Sequence, residues 1–277
     1  PATTEDKTMK AEQAKRLTDE HLQRLAQALE AGHSQALKDY LAVIARFPRY
    51  SFRNQLLIAS QRPDATRVAG FQTWRQLGRW VKRGEKGLVI VAPLPLRRAE
   101  LAEGGDADPL LLFKAVYVFD VSQTDGAPLP ELAATQGDPA DHLVRLKAVI
   151  TDRGIRLRYC EDLDGADGAS GGGLILVRSG LTAGEEFAVL AHEFAHELLH
   201  QGDRRFTVPK RVRELEAEAA AYVVSEAVGL DTNSACADYI HLYQGSVETL
   251  TESLESIRQA SSLILSDLIP EELHAAA

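Results

Sequence analysis

Apolar side chains recur at helical spacing in some stretches of the chain and gather into short blocks in others. The two rhythms together predict an α+β protein. Leu22, Leu25, Ala26 and Leu29, then Leu37, Leu41 and Ile44, keep three- and four-residue spacing across residues 17–47. Gly32 predicts a break in that helical stretch, with Ser34 as a cap for its second part and Pro48 as its end. The polar residues 1–16 ahead of it predict a flexible lead. SFRNQLLIAS, residues 51–60, predicts a further short helix stopped by Pro63. RGEKG, 83–87, predicts a turn into the strand LVIVAPL, and Leu110–Val121 predicts a second strand paired with Leu88–Val91 as a hairpin. Between those strands, 99–109 is an acidic, Gly-containing loop.

Residues 125–138 are rich in Gly, Pro and Asp without periodicity, which predicts a linker and a division into domains 1–135 and 136–277. The second domain opens with a helix over Ala140–Arg153, followed by the strand IRLRYC. EDLDGADGASGGG, 161–173, lacks the D-x-D-x-D-G spacing and closing Glu of a calcium loop, so it predicts a plain flexible loop. The strand at 174–178 precedes the longest informative helix. As an edge strand it would pair with an extended substrate. Thr182, with Glu185 three residues on, predicts a capping box at that helix's start. The basic stretch 201–213 predicts a connecting loop, 213–230 another helix, and VETLTESLESIRQASSLILSDLI a final amphipathic helix.

Candidate chemistry centres on LAHEFAHELLH, 190–200. His192 and His196 lie one turn apart on one helical face, and Glu193 follows the first His, the H-E-x-x-H arrangement. Two imidazoles so placed bind one divalent metal: zinc is the expectation and manganese the alternative. Glu193 is then set to take a proton from a metal-bound water and pass it to a leaving amine. Phe187, Leu190, Phe194 and Leu198 give the same helix a separate apolar face. A third ligand is required, and Glu214 and Glu218 share a face of the next helix. Glu214 is taken as the ligand with Glu218 behind it, orienting a ligating His, and the reverse assignment stays open. Glu216 points elsewhere and reads as a solvated carboxylate. His200 lies about 12 Å along the axis from His192 and cannot share the metal with both other histidines, so it reads as a surface His or one behind the ligands.

The formal charge of −9 argues against nucleic acid, but its distribution argues for it. Residues 46–98 carry twelve Arg and Lys against two acids, a net of +10, and −19 remains elsewhere. Phe47, Tyr50, Phe52, Phe71, Trp74 and Trp80 are interleaved with those cations. Cations follow phosphates and aromatic faces stack on unpaired bases, so the pattern predicts single-stranded DNA as partner. The DNA candidates are Arg49, Arg53, Arg67, Trp74, Arg75, Arg79, Trp80, Lys82, Arg83 and Lys86, although Phe71 and Trp74 at helical spacing suit a core equally well. Cys160 and Cys236 make no disulfide framework. No apolar run is long enough to span a membrane, and the N-terminus is not a secretory signal. A cytoplasmic protein is expected.

Residues 50–94 together with VYVFDVSQTDGAPLPEL, 116–132, resemble the N-terminal domain of plasmid antirestriction proteins of the ArdC type. AHEFAHELLH and RELEAEAAAYVVSEAVGLD resemble the C-terminal metallopeptidase domain of those proteins, which is similar to the zincin domains of the ImmA/IrrE and SprT-like groups. The resemblance implies a first domain that binds single-stranded DNA. It also implies a metal held by His192, His196 and a Glu from 214–218, with Glu193 as acid/base, and a role in shielding DNA that enters by conjugation from host restriction. Two other functions fit the same residues: a DNA-binding protector whose metal site is not catalytic, and a regulator protease that cleaves a repressor.

Overall fold

The computed structural model describes residues 4–93, 113–128, 139–230, 242–243 and 245–269. Arg97, Arg98, the acidic loop 99–109, Cys236 and residues 129–138 of the expected linker lie outside them. The fold is α+β, and no described helix is long and apolar enough to cross a membrane. The chain forms two compact units, and no single cut separates them. One unit holds residues 1–23 and 51–128, the other residues 24–50 and 129–277.

Helix α1 runs Thr4–Glu30, so the expected flexible lead is helical from Thr4 onward. Gly32, at φ 85°, breaks it as expected, and backbone hydrogen bonds from Gly32 to Leu29 and from His33 to Ala28 close its end. Helix α2 is Gln35–Arg46. Ser34 does not cap α2 through its side chain, because its own backbone is already helical.

In the first unit, α3 spans Phe52–Gln61, and the Ser51 side chain accepts from the Asn54 N–H to cap it. Strands β1 (Val68–Gly70), β3 (Leu88–Pro93) and β4 (Phe113–Asp120) form an antiparallel sheet in the order β1-β4-β3. The expected hairpin is present, with Leu88 opposite Val118 and Val91 opposite Ala115. Helix α4 (Phe71–Gln76) follows β1, and β2 (Arg79–Val81) pairs with β5 (Thr124–Gly126). The free edge of β3 is closed by α3. The Asn54 side-chain amide both donates to and accepts from Val91, at 2.9 Å each, and Gln61 does the same for Val89, at 2.9 and 2.8 Å. Each buried backbone group left unpaired would cost about 1–3 kcal/mol, so two side chains stand in for a missing strand.

In the second unit, α5 (Pro139–Asp152) leads to β6 (Arg156–Cys160), β7 (Gly168–Ser170) and β8 (Leu174–Arg178), in the order β6-β8-β7. This corrects the sequence reading in two places. Strand 174–178 is the central strand, parallel to β6 and antiparallel to β7, so it is no edge. The edge beside the metal-type helix is β7, within the stretch expected to be plain loop. Helix α6 (Ala183–Leu199), a single turn α7 (Arg204–Thr207), α8 (Lys210–Ala227) and α9 (Val247–Leu268) follow. Phe187, Leu190, Phe194 and Ala195 of α6 are fully buried. Each phenylalanine contributes about 1.5–3 kcal/mol by leaving water. Helix α8 presents Ala217 and Ala221 on the same face as Glu214 and Glu218, small buried side chains that let the two helix axes approach closely. That close packing carries the carboxylates of α8 up to the histidines of α6.

Candidate metal centre

Thr182 starts α6 with the expected capping box: its hydroxyl accepts from the Glu185 N–H, and the Glu185 carboxylate accepts from the Thr182 N–H at 2.8 Å. From that start the helix places His192 and His196 one turn apart, facing α8. His192 Nε2 and His196 Nε2 are 3.1 Å apart, and Glu214 Oε2 is 3.6 Å from the first and 3.3 Å from the second. Among the described residues this trio is the group whose ligand atoms could hold a metal. Two sides of the triangle match the spacing around one ion, and the His192–His196 side is slightly shorter. Three ligands at about 2.0–2.2 Å in tetrahedral array stand roughly 3.3–3.6 Å from one another. The two Nε2 atoms at 3.1 Å share one hydrogen when no ion is bound, and both lone pairs are free to face an ion when it is lost.

Electrostatics point the same way. Burial opposes charge on His192, but Glu214, Glu218 and Glu193 outweigh it and hold the imidazole up at about 9. Burial first, then the charge on His192, pushes His196 down to about 4. Glu214 is held down at about 2, first by its hydrogen bond with His192, against burial, and then by His196. Positive charge is therefore favoured where the three ligand atoms meet.

Glu218 Oε2 lies 3.4 Å from His192 Nδ1, on the side of the ring away from Glu214. Glu193 is buried, and burial pushes its carboxyl above the ordinary range, although a hydrogen bond with Ser170 of β7 pulls the other way. Its carboxyl therefore holds a proton more readily than a surface glutamate. Glu197, which the sequence reading did not single out, is also buried. It accepts from the Gly173 N–H at 2.8 Å and from Gln201 at 3.0 Å, tying the glycine turn beyond β7 to α6.

One expectation needs correction. Glu216 is no solvated carboxylate: it is 1% exposed and lies 2.9 Å from His200 Nε2. His200 is 3% exposed, which leaves the second of its two readings, a His behind the ligands. Its Nδ1 lies 2.9 Å from His196 Nδ1. Arg204 donates to both Glu216 oxygens, at 2.8 and 2.7 Å. The signal for this group was the i, i+4, i+8 row of histidines. No local pattern marks α8 as covered on the side that Glu216 faces.

The DNA candidates scatter. Arg53, Arg75, Arg83 and Lys86 are exposed in the first unit, Arg67 is half-buried, and Trp80 is 56% exposed. Lys82 is exposed and lies 2.9 Å from the Ser122 carbonyl. Arg79 is spent on the fold, donating to the Thr124 hydroxyl and carbonyl and to Ala127. Trp74 is a core residue: it is fully buried, and its ring N–H donates to the Phe119 carbonyl, so it offers no face to a base. Arg49 is exposed but belongs to the second unit. Phe71 and Tyr117 are exposed in the first unit. Alternation along β4 was the signal for Tyr117.

The fold and the site together define an α+β protein with a candidate mononuclear metal centre built on two packed helices. Residues 12–119 match the family model of the N-terminal domain of anti-restriction factor ArdC. The chain resembles the crystal structures of the antirestriction protein ArdC from plasmid R388, metal-free and Mn(II)-bound. The TM-score is 0.56 in both cases, at 21% and 20% identity, covering 91% of this chain and 97% and 98% of those. It is also 26% identical over 269 residues to an uncharacterized Bacillus anthracis protein, pXO2-81. That match covers 80% of this chain, which spans 46% of the relative's length. Residues 12–119 thus match the ArdC N-terminal domain, and the chain has the fold of ArdC.

Proposed function

We propose that this chain is an antirestriction protein that binds single-stranded DNA through its first unit and holds one divalent metal at His192, His196 and Glu214 in its second. The metal centre serves hydrolysis of a peptide bond in a protein substrate, with Glu193 as acid/base. The observation that carries the reading is the 3.1, 3.3 and 3.6 Å triangle beside a buried glutamate, in a chain with an ArdC N-terminal domain. The mixed nitrogen and oxygen donors suit zinc and also accept manganese, the ion in one R388 ArdC structure.

A bound ion would supply Lewis acidity at a carbonyl and a more acidic water. The protein's own residues do the rest. Glu193, its proton affinity raised by burial, holds and releases a proton beside the site. Glu218 fixes the His192 ring from behind. The β7 edge offers backbone groups to an extended peptide next to Glu193. On the DNA side, Trp80 offers a stacking face, and Arg53, Arg75, Arg83 and Lys86 offer charge.

The test is paired. Single-stranded DNA binding by the chain is titrated against salt, and Glu193→Gln is assayed for protection of DNA entering by conjugation. Affinity should fall with log salt at roughly −0.7 per phosphate neutralised, and Glu193→Gln should lose protection while still binding DNA. A flat salt response overturns the DNA reading, and full protection by Glu193→Gln overturns the hydrolytic one.

A further inference from the structure

Beyond the three metal-type ligands, α6 and α8 enclose a second row of polar groups that hydrolysis does not use directly. Arg204, Glu216, His200 and His196 form a continuous hydrogen-bonded chain that ends at the metal position. Its two middle members are almost wholly buried, at 1% and 3% exposed. Burying a carboxylate and an imidazole side by side is costly unless each has a fixed partner, and each has one here.

The polarity of this chain can be worked out from its far end. Arg204 only donates, and it donates to both Glu216 oxygens. The guanidinium stands 2.7 Å from Oε2, the same oxygen that faces His200 Nε2 at 2.9 Å, so the carboxylate is paired with a fixed cation. An ionised carboxylate only accepts, so His200 Nε2 carries the hydrogen that points at Glu216. In the neutral ring that leaves His200 Nδ1 as a bare acceptor. Its partner at 2.9 Å, His196 Nδ1, must then donate. His196 Nε2 is left with a lone pair, and that is the atom facing His192 Nε2 and Glu214 Oε2. Were His200 to donate from Nδ1 instead, His196 Nδ1 would have to accept, and the hydrogen on its Nε2 would point into the metal position.

We propose that His200 is a positioning residue for the metal centre: with Glu216 and Arg204 it fixes the tautomer and the ring plane of His196, so that Nε2 is presented as a ligand. This rests on the metal reading above. Helical spacing explains why the device is available. A residue at i+8 cannot reach an ion held by i and i+4, but it can reach the back of the i+4 ring.

The test uses the chain with zinc as probe, in competition with a chromophoric chelator. His200→Phe removes the acceptor and should weaken zinc binding about 10- to 100-fold. His200→Gln restores an acceptor oxygen within reach of His196 and should bind zinc within a few-fold of the unaltered chain. Independently of any variant, nitrogen NMR of the zinc-loaded chain should show the hydrogen on Nδ1 of His196 and on Nε2 of His200. That measurement decides the matter even where His200→Phe does not fold. Equal zinc affinity in His200→Phe and the unaltered chain, no rescue by His200→Gln, or the opposite tautomer at His196 would each overturn the proposal while leaving the metal centre standing. An unaltered chain that binds no zinc overturns the metal reading and this inference with it.

Discussion

Gly168 of β7 packs directly against Glu193 of α6: a β-carbon at Gly168 would stand 2.9 Å from Glu193 Cγ and 2.6 Å from Val189 Cγ1. Strand and helix meet there with no room for a side chain, and the meeting fixes where the Glu193 carboxyl sits. Gly168→Ala should therefore force the strand away from the helix. Overpacking of this kind costs about 1–3 kcal/mol, to be read from thermal unfolding. Metal affinity should stay unchanged, because the atoms nearest to that β-carbon belong to Val189 and Glu193 and not to a ligand. A variant as stable as the original would mean that the contact is looser than described.

Glu214 and Glu218 should separate cleanly on metal titration. Glu214→Gln removes a ligand atom that stands 3.3 and 3.6 Å from the two Nε2 atoms and should abolish stoichiometric binding. Glu218→Gln removes only the partner of His192 Nδ1 and should weaken binding about 10- to 100-fold. The reverse order of effects would make Glu218 the ligand.

The two tryptophans should behave oppositely. Trp74→Ala opens the core and loses the bond to Phe119, costing about 3–5 kcal/mol of stability. Trp80→Ala, at a side chain 56% exposed, should leave the unfolding temperature nearly unchanged and weaken single-stranded DNA binding by about 1–3 kcal/mol. Equal DNA affinity in Trp80→Ala would remove this residue from the interface.

Asp120 gives the first unit an acid-sensitive anchor. It accepts from the backbone N–H groups of Thr66, Arg67 and Ser122 and from the Ser122 hydroxyl. Burial works against its charge, but these bonds outweigh it and hold the carboxyl below its ordinary range. Because the folded value is the lower one, the stabilisation is fully present above the unfolded value of about 3.9 and is lost as pH falls through the folded value. Unfolding temperature should drop in that acidic window. Asp120→Asn should be less stable at neutral pH and show a shallower drop.

The legible parts of this fold were those with a repeating signal. Helical periodicity located α2, α3, α6, α8 and α9, the capping box at Thr182 was visible as letters, and the apolar blocks gave the pairing of β3 with β4. Strands β1, β2, β5 and β7 have three residues each, too few for alternation to register. β7 looked like a loop because its glycine is there for a close approach to Glu193, a tertiary cause with no local trace. Glu216 was misplaced for a related reason. Its neighbours Glu214 and Glu218 face the histidines, so the third carboxylate was assigned to solvent, whereas His200, Arg204 and Ser253 surround it. Trp74 illustrates the limit of composition: a basic, aromatic segment indicates a kind of partner, but only packing separates a core ring from an exposed one.

The central claim is that His192, His196 and Glu214 hold a single divalent ion, and its most direct test is metal content. The chain is loaded with zinc or manganese, dialysed, and assayed beside His196→Ala and Glu214→Gln, with circular dichroism to confirm that each variant is folded. One ion per chain in the unaltered protein and none in either folded variant is the predicted result. An unaltered chain that retains no ion, or variants that retain as much as it does, would contradict the account.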